Sequence, residues 1–102
     1  MELEAFQLLI KVCKEKQYNE FIEALHKSYL ELIKVEAEAR RKKASVLIKG
    51  MQTIDRELLF LNFEYDKVKR SFNIDGIPYF DQLVIELSEK RSELSSLKNS
   101  LK

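Results

Sequence analysis

The clearest pattern in this chain is the line Leu47, Met51, Ile54, Leu58, Leu61, Tyr65, Val68 and Phe72, which alternates steps of four and three without a miss. Such a line is the seam of a helix packed lengthwise against another helix. A second line, Phe80, Leu83, Leu87, Lys90, Leu94, Leu97 and Leu101, repeats the spacing with one charged interruption. Asp81 near its start and Lys98 and Lys102 near its end suit the helix dipole. Between the two lines stands Asn73-Ile74-Asp75-Gly76-Ile77-Pro78. Gly tolerates positive φ and Pro interrupts the helical hydrogen-bond ladder, so a loop is expected over 73–79. Seams of similar length joined by a short loop predict an antiparallel helical hairpin.

The N-terminal half carries two further stripes. Leu3, Phe6, Leu9, Ile10 and Cys13 predict a helix over 2–15. After the polar run Lys14-Glu15-Lys16-Gln17, a stripe of Ile22, Leu25, Tyr29, Leu32 and Ile33 predicts a second helix over 19–48. Asn19 is placed to cap it, because its side chain can accept a bond from an unsatisfied backbone N–H. The phase of the 47–72 seam also runs backwards through Ala44, Arg40, Ala37, Ile33 and Leu30. One interior Gly costs only about 1 kcal/mol, so a helix continuous through Gly50 is one alternative. A helix from 19 to 72 would be about 80 Å long, however, and a break near Lys49-Gly50 is the expectation. Residues 1–49 and 50–102 are then two hairpins of one all-α domain, a four-helix bundle or coiled-coil-like assembly.

The stretch Gln17-Tyr18-Asn19-Glu20-Phe21-Ile22-Glu23-Ala24-Leu25 is similar to the helix junction of tetratricopeptide-like helical-hairpin modules. Phe21 stands where those modules usually place Ala or another small residue, and no repeat at their period follows.

Composition narrows the classes. In 102 residues there are two Gly and one Pro, too few for the turns of a β-sandwich or barrel. A single Cys excludes an internal disulfide framework. Eighteen basic against seventeen acidic residues leave a formal charge of +1, so no global field points to nucleic acid or an anionic membrane. No window approaches the roughly 20 apolar residues that span a bilayer. Met1-Glu2-Leu3-Glu4 is acidic where a secretory signal is basic, and the expected address is cytoplasmic.

Candidate chemistry is thin. Catalysis needs a nucleophile, a base and charge stabilisation, and the chain offers one imidazole, His26, and one thiol, Cys13, which sits on an apolar stripe. No glycine-rich phosphate loop is present. Neither an enzyme nor a cofactor is expected. Glu23-Ala24-Leu25-His26 has the Glu-x-x-His spacing of di-iron bundles, but a lone His completes no such site within one chain. Arg40, Arg41, Lys42 and Lys43 are consecutive cations able to neutralise phosphates. Their preferred reading is a solvated helix surface in which Glu36 pairs with Arg40 and Glu38 with Lys42. Nucleic-acid binding through 40–43 is the alternative function.

The most informative surplus is apolar. With Leu58, Leu61 and Tyr65 on the seam, Leu59, Phe60 and Phe63 fall on positions that a two-helix hairpin leaves in water. Either the N-terminal hairpin, a second copy or another protein's helix or peptide covers them. The expected function is a non-enzymatic protein–protein interaction module, adaptor, chaperone-like or regulatory, and the expected assembly a homodimer.

Overall fold

A computed structural model describes residues 4–101 as four helices: α1 (Glu4–Lys16), α2 (Asn19–Ala39), α3 (Ala44–Phe72) and α4 (Phe80–Ser100). Met1, Glu2, Leu3 and Lys102 lie outside those residues. Each helix packs on the next in the chain, and α1 also packs on α4, which closes the ring into a four-helix bundle. The registers are antiparallel. Against α3, Ser28 of α2 meets Glu57 and Val35 approaches Gly50, while from α4 the Phe80 ring stacks on Tyr65 and Arg91 reaches Asp55.

Length differences divide the bundle. At 1.5 Å per residue the 29 residues of α3 span about 43 Å, most of the 49 Å long axis. The 13 residues of α1 span about 20 Å and cover only the end that holds the 73–79 loop. There the cross-section has four helices; at the opposite end, around the α2–α3 corner, it has three. Glu86 of α4 holds the start of α1 by accepting the Ala5 N–H at 3.3 Å, a side-chain partner for an otherwise orphaned first-turn donor.

The core combines Phe6, Leu9 and Cys13 of α1 with Phe21, Leu25 and Leu32 of α2. Leu47, Ile54 and Leu61 of α3 and Leu83, Leu87 and Leu94 of α4 pack with them, and Val35, Val68, Ile77 and Phe80 are buried as well. On α3 the buried stripe is wider than a single seam, because the helix touches α2 on one side and α4 on the other. Glu57 faces α2, Gly50 lies between α2 and α4, and Met51, Leu58 and Tyr65 are half-buried.

Three sequence expectations need correction. The corner lies at 40–43 and not near Lys49-Gly50; α3 runs unbroken through Gly50. Gly50 is helical for a packing reason. A Cβ there would stand 3.1 Å from Leu94 Cδ1 and 3.2 Å from Val35 Cγ1, so its bare Cα lets α2 and α4 close on α3. Leu30 and Ile33 therefore do not extend the α3 seam, and both are exposed on α2. Asn19 is the first helical residue and not the cap; Tyr18 occupies that position, with no side-chain cap bond. Tyr18 instead donates its N–H to the Cys13 carbonyl at 2.9 Å across a turn in which Gln17 takes φ 63°. That closes α1 in the manner of a Schellman turn.

The loop falls at 73–79 as expected, although Asn73 and Tyr79, and not Gly76, take the positive φ there. Asn73 turns left-handed at φ 50°, and Ile74 donates to the Lys69 carbonyl at 3.0 Å. The loop then folds over Tyr65, whose hydroxyl accepts the Ile77 N–H at 3.0 Å. Gly76 lies so close that a Cβ would meet that hydroxyl at 2.8 Å.

Candidate functional site: the outward face of α3

The three apolar residues singled out on α3 separate in the structure. Phe60 turns towards α2, packs against the core and receives Lys27 Nζ 5.6 Å from its ring centroid. It lines a shallow cleft of about 340 Å³ with Lys27, Glu31, Arg56 and Glu57. Leu59 and Phe63 remain in solvent, 74% and 61% exposed. One helical turn apart, they share the side of α3 that faces away from the bundle. Lys67 Nζ stands 5.8 Å from the Phe63 ring centroid and covers one edge of the pair. The N-terminal hairpin thus absorbs one of the three residues and leaves two.

The cations Arg40, Arg41, Lys42 and Lys43 occupy the corner between α2 and α3 and are all exposed. The expected continuous helix surface is absent, since Lys42 takes φ 49° and the chain reverses there. Arg41 and Lys42 donate backbone N–H groups to the carbonyls of Glu38 and Ala39, which satisfies the last turn of α2. Their charges also lie against the negative end of the α2 dipole.

The remaining candidates disperse. Cys13 is fully buried, and burial pushes its thiol up to about 11, so it is protonated and a poor nucleophile at neutral pH. Glu23 and His26 are exposed on the outside of α2. No group of three or more His, Cys, Asp or Glu that could hold a metal occurs among the described residues. Among those residues no helix is long and apolar enough to cross a membrane.

Two features escaped the sequence reading. The buried Ser28 hydroxyl donates to Glu57 Oε2 at 2.7 Å, while Arg56 stands 3.6 Å from the other carboxylate oxygen. This polar link joins α2 to α3 inside the bundle. Its only trace in the sequence is a Glu one residue before the Leu58 seam position. The second is a broad, open depression of about 730 Å³ along α4, floored by Ser88, Ser92 and Ser96 between Ile85 and Leu97. The four-residue serine spacing was legible but carries no chemistry alone.

The chain matches no known protein family, no curated protein and no solved structure.

Proposed function

We propose that the protein is a non-enzymatic protein–protein interaction module that binds a helix or extended peptide along the outward face of α3. The observation that carries this reading is the exposure of Leu59 and Phe63 beside a core that is complete without them. Burying a side chain of either kind is worth about 1.5–3 kcal/mol, and aromatic residues dominate contact energetics where they anchor an interface. The bundle supplies the support: α3 is held on two sides by α2 and α4, so the pair is presented on a helix already formed before any partner arrives.

The test is a photo-crosslinkable residue in place of Asn62, between the two anchors, expressed in the protein's native cells. A discrete protein adduct is expected, to be abolished by Leu59→Asp and by Phe63→Asp with the helical circular-dichroism melt unchanged. A protein that forms no adduct under any condition overturns the reading. Phe60→Asp is the contrasting variant, expected to lower the melting temperature because that ring packs on the core.

A second reading rests on the corner, where four exposed consecutive cations project from a turn. Nucleic-acid binding there would fall steeply with salt and vanish when Arg40, Arg41, Lys42 and Lys43 are replaced by Gln. Salt-independent or absent binding of a labelled oligonucleotide disposes of it.

A further inference from the structure

The outward face of α3 has a seam of its own. Gln52, Arg56, Leu59, Phe63, Asp66 and Arg70 follow steps of four, three, four, three and four, and all six are exposed. Its two central members, Leu59 and Phe63, are apolar and the four outer ones are polar or charged, so the contact it offers is centred on that pair.

The order of charges on that second seam selects its occupant. Arg56, whose guanidinium within the chain lies 3.8 Å from Glu31 and 3.6 Å from Glu57, stands three residues before Leu59, and Asp66, 3.7 Å from Lys69 Nζ, stands three residues after Phe63. Gln52 and Arg70 stand seven residues outside the same pair. The face is therefore complementary to itself when reversed. Place Leu59 of one copy against Phe63 of a second, antiparallel, and Arg56 meets the second copy's Asp66 on both sides of the dyad. A parallel arrangement sets Arg56 against Arg56 and Asp66 against Asp66. Centring the dyad on Phe63 sets Arg56 against Arg70. Like charges oppose each of those alternatives, and only the Leu59–Phe63 alignment joins apolar to apolar and cation to anion.

We infer that the partner for this face is a second copy of the chain, packed α3 against α3 in an antiparallel, two-fold arrangement with Leu59 on Phe63. This rests on the interaction reading above and deepens it. The contact is isologous, so each pairing occurs twice and any substitution is felt twice. With two apolar anchors per chain, the interface falls below the standard size of stable complexes, and association in the micromolar range is expected.

Gln52 and Arg70 provide the test, since both are exposed and neither holds the bundle together. Gln52→Glu places a carboxylate opposite the second copy's Arg70, and Gln52→Lys places a cation there. Sedimentation equilibrium from micromolar to millimolar concentration is expected to show dimers for the natural sequence. Gln52→Glu should tighten them and Gln52→Lys weaken them, each by roughly threefold to tenfold, the worth of two exposed ion pairs. Adding Arg70→Glu to Gln52→Lys restores the opposite-charge pairing and should recover the dimer. A dimer indifferent to these changes but abolished by Phe63→Asp overturns the antiparallel register and leaves the face as an interface. A monomer at every concentration overturns self-pairing altogether. In that case, an adduct from position 62 to a different protein would keep the wider reading, and no adduct would remove both.

Discussion

The two ends of the bundle reach the same outcome, a closed core, by different means. At the loop end, four helices surround a cluster of rings. Tyr65 and Phe80 stack with centroids 3.8 Å apart, Phe21 lies 6.1 and 6.3 Å from them, and Phe6 meets Tyr29 edge-on at 5.4 Å. Large side chains fill the wide space between four helices. At the corner end three helices remain, the space between them is narrow, and the device is subtraction: Gly50 removes a side chain so that Leu94 and Val35 can approach. One end is sensitive to losing volume and the other to gaining it.

That contrast predicts opposite responses to substitution. The largest effect is expected for Phe21→Ala, which empties a fully buried ring position at the loop end; about 3–5 kcal/mol should be lost in urea denaturation. Gly50→Val is next. It adds volume where even a Cβ is crowded, and about 1–3 kcal/mol should be lost, although Val at an open helical site would be tolerated better than Gly. Tyr65→Phe keeps the stacked ring and removes only the acceptor of the Ile77 N–H, so about 1 kcal/mol is expected. Its signature is local, a faster amide exchange at Ile77 with the α4 amides unchanged. The smallest effect is a gain. Lys42→Gly relieves a left-handed φ of 49° and should raise stability by up to about 1 kcal/mol, read as a higher melting temperature. If Gly50→Val proved as harmless as a surface change, the narrow end would not be close-packed and the comparison would fail.

The same contrast explains what was legible beforehand. The loop at 73–79 announces itself, because Asp75-Gly76 and Pro78 are residues that turns select. The corner at 40–43 has no such marker. Lys42 performs the left-handed step with an ordinary side chain, as Gln17 does between α1 and α2, so neither turn left a trace in glycine content. The chain's one early Gly then attracted the expected break to position 50, where its missing Cβ serves packing and φ is not positive. The inward seam of α3 was readable as periodicity from Leu47 to Val68, whereas its last predicted member, Phe72, is exposed. Glu57, buried within the wider stripe, was not readable, since its partner Ser28 lies on another helix and periodicity reports one helix at a time.

Of the candidate surface, Leu59 and Phe63 were legible as apolar residues with no place on the seam. The fate of Phe60 was not, because it depended on which side of α3 the second helix would flank. Phe60 and Phe63 are alike in the sequence, and only the direction of approach of α2 separates a packed ring from an exposed one.

Gly50 also decides a question that leucine seams leave open. A line of apolar residues at steps of three and four resembles itself whenever it is shifted by a heptad, so α4 could in principle slide along α3 and still find leucines to meet. The notch does not repeat. Moving α4 by one heptad, about 10.5 Å, would bring Leu94 against residues that carry side chains, Lys43 or Glu57, in place of the bare Cα at Gly50. The missing atom works as a detent: it sets the axial position of α4, and through Val35 that of α2, at one value along the length of α3.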